Sequence, residues 1–169
     1  VEIKAYCEDV QEIRKRILSL GGELMGSRVE TDVYYNHPNR NFAVTDEALR
    51  IRQAEKETIF TYKGPKIGNR SKTRIEQEVT IDNFDKMNGI LVHLGFIESS
   101  RVRKKREGYN LDEVTICIDS VDGLGDFVEL EKISIEREKT EDRLFALAAK
   151  LGLKQFERRS YLELVLGPD

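Results

Sequence analysis

The sequence predicts an α+β fold: a closed antiparallel eight-stranded β-barrel that forms a tunnel, with helices packed on the outside. Three observations support this prediction. Strands and amphipathic helices recur in a fixed order, charged and apolar residues alternate along several strands, and the helices need an apolar surface to cover. The length of 169 residues fits one domain, 1–169, with a substantial core.

One arrangement of elements recurs three times: a strand leads into an amphipathic helix that ends in Leu-Gly. The three strands are predicted at 1–7, around 74–81 and around 126–135. Asp82 and Thr140 are the predicted N-caps of the second and third helices. The apolar helix faces comprise Val10, Ile13, Ile17 and Leu20, then Phe84, Met87, Ile90, Leu91 and Leu94, and then Leu144, Leu147, Ala148 and Leu151. This recurrence predicts an internal duplication.

The remaining elements complete the count of eight strands and three helices. Long strands follow the first two helices at about 24–35 and 96–106, and further strands are predicted at 47–54, 58–63 and 109–119. The C-terminal stretch 156–166 is either a short helix or a strand, and the pattern does not decide between them.

Charged residues share one face of many strands, because alternate strand residues point to opposite sides. Leu49 and Ile51, for example, oppose Arg50 and Arg52. The same sorting places these residues opposite the apolar positions: Glu2, Lys4, Lys63, Arg74, Glu76, Glu78, Asp119, Glu129 and Glu131. An open sheet with a solvated face would satisfy the pattern. Closing the sheet would instead remove its edges and turn the charged face into a lumen.

A charged lumen has to be wet or occupied, because burying an unpaired charge costs several kcal/mol. Cations attract a polyanion and carboxylates hold a hard metal ion, so both together suit a metal–triphosphate ligand. We therefore expect a triphosphate bound with Mg²⁺ or Mn²⁺.

Several other classes fit the composition less well. The net charge of −3 argues against general nucleic-acid binding. No apolar run reaches about 18 residues, and no signal-peptide pattern opens the sequence. Cys7 and Cys117 are predicted to be buried thiols, which favours a reducing cytoplasm. His37 and His93 lie in unrelated contexts, so a histidine-based zinc site is not expected.

Six motifs in order give the chain a family resemblance. They are Glu2-Ile3-Lys4, Leu49-Arg50-Ile51-Arg52, Thr61-Tyr62-Lys63-Gly64-Pro65, Arg74-Ile75-Glu76-Gln77-Glu78, Lys104-Lys105-Arg106, and Asp119 followed by Gly125-Asp126-Phe127-Val128-Glu129-Leu130-Glu131. The chain resembles the CYTH proteins, or triphosphate tunnel metalloenzymes, which include class IV adenylate cyclases and thiamine triphosphatases. Ser160-Tyr161-Leu162-Glu163-Leu164 is similar to their C-terminal segment.

The resemblance implies roles for individual residues. It implies that Lys4, Arg50, Arg52, Lys63, Arg74, Lys104 and Arg106 bind the triphosphate. It implies that Glu2, Asp119, Glu129 and Glu131 hold the metal, and that Glu76 and Glu78 lie near metal or substrate, although balancing charge in the lumen is an equal alternative for these two. A homodimer is possible by the same resemblance.

The leading hypothesis is a class IV-type adenylate cyclase that converts ATP to cyclic AMP and pyrophosphate. A tripolyphosphatase or a nucleoside or thiamine triphosphatase would use the same site for hydrolysis. Two other classes remain: a non-catalytic polyphosphate or nucleotide sensor, and an RNA-binding module that uses Arg101–Arg106. The loop 63–74 is either a lid or an ordinary surface loop.

Overall fold

Eight strands and five helices form the fold of residues 1–167, the part of the chain that the computed structural model describes. The strands are β1 (Glu2–Tyr6), β2 (Glu23–Asn36), β3 (Ala48–Gln53), β4 (Thr58–Lys63), β5 (Glu76–Ile81), β6 (Ile97–Leu111), β7 (Val114–Val121) and β8 (Gly125–Glu131). The helices are α1 (Val10–Ser19), α2 (Phe42–Thr45), α3 (Phe84–His93), α4 (Arg137–Leu151) and α5 (Tyr161–Leu166).

The strands form one sheet in the order β1-β8-β7-β6-β2-β3-β4-β5. Every strand pair with a described register is antiparallel, so the α+β class with an eight-stranded antiparallel sheet is confirmed. The order contains two equivalent series, β2 to β5 and β6 to β1, as an internal duplication would produce. The predicted barrel requires closure of the sheet, but β1 and β5 are the end strands of this order among the described residues. Closure therefore stays a prediction.

The chain contains two compact units, each with its own hydrophobic core. The first unit comprises Val1–Arg28, Ile67–Thr73 and Lys104–Arg159, and the second comprises Val29–Lys66, Arg74–Arg103 and the residues from Ser160 onward. In the first, Ile17 of α1 and Leu144 of α4 are fully buried in one cluster with Ile116 and Leu130. In the second, Leu91 of α3 packs in a cluster with apolar residues of β2 and β3. The single-domain prediction is left untested.

The free side of β1 is covered by other segments of the first unit. The backbone N–H of Tyr6 donates to the carbonyl of Gln155 at 2.9 Å, and that of Glu157 donates to the carbonyl of Lys4 at 2.8 Å. The backbone N–H of Lys72 donates to the carbonyl of Glu2 at 2.9 Å. Three backbone groups on this side of the strand are therefore satisfied by hydrogen bonds.

Several predicted boundaries are wrong. Asn83, not Asp82, caps α3, because its side chain accepts a hydrogen bond from the backbone N–H of Lys86. Helix α4 begins at Arg137, so Thr140 lies inside the helix. Strand β5 begins at Glu76, which leaves Arg74 outside it.

The predicted division between the strands at 96–106 and 109–119 is also wrong. Strand β6 runs on to Leu111, and the turn to β7 lies at Asp112 and Glu113, which have positive φ angles of 49° and 65°. Strand β8 ends at Glu131 instead of near 135, and Ile133 and Ile135 beyond it are exposed.

Some predicted apolar faces are not covered. Ile90 in α3 and Leu94 just after it are more than half exposed. The same holds for Ile75 just before β5 and Val79 within it. The open question at the C-terminus is answered by α5, which is a helix. Ser160 and Glu163 form a reciprocal capping box at its start. No helix among residues 1–167 has the length and apolar character needed to span a membrane.

Candidate functional site

Strands β3 and β8 each contain four consecutive buried residues, so both faces of the sheet are buried there. In β3, Leu49, Arg50, Ile51 and Arg52 are all buried, so the arginines do not face water. Each unit carries a set of ionic side chains, and all of them except Lys72 come from the charged strand faces. The first-unit cluster consists of Glu2, Lys4, Lys72, Lys104, Arg106, Asp119 and Glu129. The second-unit cluster consists of Glu30, Asp32, Arg50, Arg52, Lys63, Glu76 and Glu78.

The strand register builds the first-unit cluster. Lys4 of β1 lies opposite Glu129 of β8, and Asp119 of β7 lies opposite Arg106 of β6. Opposed residues on one face of an antiparallel pair have Cβ atoms within about 5.5 Å of each other. The strand register therefore brings together these four predicted site residues, which come from four different strands.

Arg106 is the centre of this cluster. Its Nε and Nη2 donate to the two oxygens of Asp119 at 2.7 and 2.6 Å, and Nη2 also donates to Glu129 Oε2 at 2.5 Å. Lys104 Nζ lies 3.8 Å from Asp119 Oδ2. Burial opposes the charge of Arg106, but Asp119 and Glu129 outweigh it and raise the arginine pKa well above its ordinary value.

Lys4 is buried to 1% exposure beside aromatic and backbone groups. Its ammonium donates to the carbonyl of Arg159 and lies 5.5 Å from the ring centroid of Phe127. Burial, followed by repulsion from Lys72, lowers the pKa of Lys4 to about 7.

Lys72 joins two of the predicted metal ligands. Its ammonium donates to the Glu2 carboxylate and, at 3.1 Å, to Glu129 Oε1. Burial opposes the charged form of Lys72, but Glu129 and Glu2 outweigh it and raise the lysine pKa. Burial alone would raise the pKa of Glu129, but Lys72 and Arg106 hold it well below its ordinary value.

The register of β2 to β5 builds the second-unit cluster. Asp32 lies opposite Arg52, Thr61 opposite Glu78, and Lys63 opposite Glu76. The Lys63 ammonium donates to Glu76 Oε1 at 2.8 Å, and the Thr61 hydroxyl donates to Glu78 Oε1 at 3.0 Å.

Arg52 is held on two sides by carboxylates. Its Nε and Nη2 donate to the two oxygens of Asp32 at 2.7 and 2.8 Å, and its Nη1 lies 3.2 Å from Glu30 Oε2. This bidentate arrangement is the geometry in which arginine binds a planar anion most specifically.

Arg50 is less completely satisfied. It lies 3.5 Å from Asp32 and 3.7 Å from Glu78, and its buried Nε has no hydrogen-bond partner among the described residues. A buried donor without a partner is uncommon in folded proteins, so this N–H is free to donate to a bound anion.

Arg74 and Glu131 differ from the other predicted residues in their surroundings. The guanidinium of Arg74 donates to the carbonyls of Asp46 and Gly64 at 2.9 and 3.0 Å and to the Asp46 carboxylate at 3.0 Å. Glu131 lies opposite Glu2 in the register of β1 and β8 and is exposed.

Sequence reasoning missed Glu30, Asp32 and Lys72. The first two alternate with Thr31 and Val33, so sorting β2 by parity would have found them. Lys72 lies outside any strand, and no periodic signal marks it. Among the described residues, no three His, Cys, Asp or Glu side chains are arranged to hold a metal ion by themselves.

The fold and these clusters define an α+β protein whose antiparallel sheet carries buried ionic faces. The CYTH domain family model matches residues 1–161, and the chain therefore belongs to the CYTH family.

Similar proteins align with nearly the whole length of this chain. A Methanocaldococcus jannaschii protein named "putative adenylate cyclase" is 41% identical over 97% of both chains. Adenylate cyclase CyaB of Aeromonas hydrophila is 30% identical over 97% of this chain and 87% of its own. A solved structure from Pyrococcus horikoshii has 43% identity and a TM-score of 0.91, and covers 98% of this chain and 97% of its own.

Proposed function

We propose that this protein is a metal-dependent enzyme that acts on a triphosphate, with conversion of ATP to cyclic AMP and pyrophosphate as its leading reaction. The buried ionic strand faces carry this proposal, because the fold gains little from burying so many charges unless a ligand uses them. The names of the relatives at 41% and 30% identity support the cyclase assignment.

The cations would bind the phosphate oxygens. Arg50 has an unused buried Nε to donate, whereas Arg52 and Arg106 present forks that already bind carboxylates in the way that they would bind phosphate. Lys63, Arg74, Lys104 and Lys4 belong to the same proposal. Fixing the triphosphate in this way would orient the reacting groups and offset the charge that develops on the leaving oxygens.

The carboxylates suit a divalent metal. Glu2 and Glu129 already share one cation, the Lys72 ammonium, and carboxylate oxygens are the donors that Mg²⁺ and Mn²⁺ prefer. We propose Glu2, Asp119, Glu129 and Glu131 as the metal ligands, with Glu76 and Glu78 near metal or substrate. Bound Mg²⁺ or Mn²⁺ would supply Lewis-acid polarisation of the phosphate oxygens.

In the cyclase reaction the 3′-oxygen of ATP bonds to the α-phosphorus, the bond from that phosphorus to the bridging oxygen breaks, and pyrophosphate leaves. Hydrolysis of a triphosphate is the second candidate. It would use the same ionic groups, because these bind phosphate oxygens whichever phosphorus atom is attacked.

Product analysis tests both reactions. Purified protein is incubated with Mn²⁺ or Mg²⁺ and either ATP or tripolyphosphate. Cyclic AMP with pyrophosphate from ATP supports the cyclase. ADP with orthophosphate from ATP, or pyrophosphate with orthophosphate from tripolyphosphate, without cyclic AMP, assigns a hydrolase. If the protein binds the triphosphate but forms no product, it is a non-catalytic sensor, and the proposal is wrong.

Glu131→Gln tests the metal assignment. We expect it to lower metal-dependent turnover by at least about 10-fold, because it removes a charged oxygen donor. Because Glu131 is exposed, the free energy of unfolding should change by less than about 0.5 kcal/mol. Glu113→Gln is the matched control, since Glu113 is an exposed carboxylate in the same unit that pairs with Lys132. Equal turnover in both variants would remove Glu131 from the metal site.

A further inference from the structure

Lys72 occupies the position between two carboxylates that a metal ion would need. The ammonium contacts Glu2 and Glu129, and the side chains of all three residues are at most 16% exposed. Lys72 comes from the segment 70–72, which lies outside the strands and helices. Its charge is therefore delivered to the cluster by a segment that is not part of the sheet.

The segment is anchored by side chains. Ser71 is buried, and its hydroxyl donates to Glu141 Oε1 of α4 at 2.6 Å. Arg70 Nη2 donates to Asp142 on the same helix at 2.8 Å. The anchors are thus a few polar contacts and the backbone bond of Lys72 to Glu2, so releasing the segment breaks no registered strand pair.

A lysine at this position meets an electrostatic need. Glu129 is buried and Glu2 is half-buried, and two carboxylates close enough to share one cation repel each other when that cation is removed. The ammonium pairs with Glu2 and with Glu129 Oε1, while Arg106 donates to the other oxygen of Glu129. A divalent ion would satisfy the oxygens that Lys72 now holds with twice the charge. Both cations cannot hold these oxygens together without repelling each other.

We propose that Lys72 is an internal counter-cation, which holds Glu2 and Glu129 until Mg²⁺ or Mn²⁺ binds and then withdraws with the segment 70–72. This inference rests on the proposed function because it assumes that these carboxylates bind the metal. It assigns to Lys72 a positioning role: it sets the apparent affinity of the carboxylates for the metal.

Direct binding of Mn²⁺ without any triphosphate tests this role. Calorimetry or electron paramagnetic resonance of free Mn²⁺ would compare the wild type with Lys72→Met. We expect the variant to bind Mn²⁺ about 10-fold more tightly, because the competing cation is gone. Lys132→Met is the control, since Lys132 pairs with exposed Glu113 in the same unit, and its affinity should stay within about twofold of the wild type.

Equal or weaker Mn²⁺ binding by Lys72→Met would overturn the inference, and so would a lack of Mn²⁺ binding by both proteins. In each of these cases the product analysis with a triphosphate still decides the proposed function separately. Tighter Mn²⁺ binding without any product would support the inference and contradict the enzyme.

Two further measurements keep the test informative if Lys72→Met folds poorly. Ser71→Ala retains the lysine but removes its anchor on Glu141, so Mn²⁺ should again bind more tightly, by about two- to fivefold. In the wild type, Mn²⁺ should accelerate tryptic cleavage after Arg70 and Lys72, relative to the same ionic strength of NaCl. An unchanged cleavage pattern together with unchanged affinity of Ser71→Ala would also overturn the inference.

Discussion

At the scale of single residues, the stability of the fold depends on buried ion pairs, and removing one partner of such a pair lowers the free energy of unfolding. Asp32 and Glu30 are each about 1% exposed, and Arg52 is the cation that contacts both. Two buried charges attract strongly, but most of that energy offsets their dehydration. Removing the arginine leaves the dehydration cost without the attraction.

Arg52→Met should therefore lower the free energy of unfolding by about 3–5 kcal/mol. The double variant Arg52→Met/Asp32→Leu should recover part of this loss, because one of the stranded carboxylates is removed with its partner. Urea unfolding of the wild type, Arg52→Met, Asp32→Leu and the double variant measures the coupling free energy between the two side chains. Arg101→Met is the control, since its pair with Glu98 is exposed and should contribute at most about 1 kcal/mol. Equal losses in both single arginine variants would contradict this account.

Glu157 gives the first unit a pH-dependent contact. Hydrogen bonds from Arg159, together with one from Tyr6, outweigh burial and lower the pKa of Glu157 to about 2. The pKa in the unfolded chain is about 4.3, so the stabilisation is complete above that pH and is lost as the pH falls toward 2.

Glu157→Gln should consequently cost on the order of 1 kcal/mol at pH 6, a value reduced by the solvent exposure of Arg159. The cost should shrink when unfolding is measured at pH 3. A difference between wild type and variant that is the same at both pH values would show that the carboxylate charge does not stabilise this contact.

At the scale of elements, two glycines in helical regions have opposite requirements. Gly152 ends α4 with φ of 79°, a left-handed conformation that other residues adopt at a cost, and a Cβ there would meet Arg16. Gly89 lies within α3, and a Cβ there would meet nothing within 4 Å. The first glycine is required by the backbone, whereas the second only weakens its helix.

Gly152→Ala should lower the free energy of unfolding by about 1 kcal/mol, and Gly89→Ala should raise it by about 0.5–1 kcal/mol. Thermal or urea unfolding of the two variants beside the wild type gives the signs directly. A shift in the same direction for both would show that backbone conformation does not govern these positions.

The element-level predictions from sequence succeeded where a pattern is local. Alternation with a period of two placed Arg50 and Arg52 on one face of a strand, and Leu-Gly marked helix ends. The boundary between β6 and β7 was missed because Asp112 and Glu113 adopt positive φ without a glycine, so no turn signal stands there. Thr140 has a residue type that suits a helix cap, but it is buried inside α4, so residue type alone does not place the start of that helix.

At the scale of the whole molecule, sequence could predict which strands carry charge but not which charges meet. Arg106 and Asp119 lie 13 residues apart, and their contact follows from the register of β6 and β7. The contact of Lys72 with Glu129 spans 57 residues and involves a loop, where no periodicity operates. Long-range pairing of this kind depends on the folded backbone, which a local pattern does not specify.

The cover along β1 has a consequence for the behaviour of the chain in solution. A chain that stopped at Lys154 would lack the carbonyl of Gln155 and the N–H of Glu157, which now bind Tyr6 and Lys4. The bare row of amides and carbonyls would then be a template on which a second molecule could add a strand. The stretch after α4 thus shields this strand from pairing between molecules, and we expect its removal to promote aggregation.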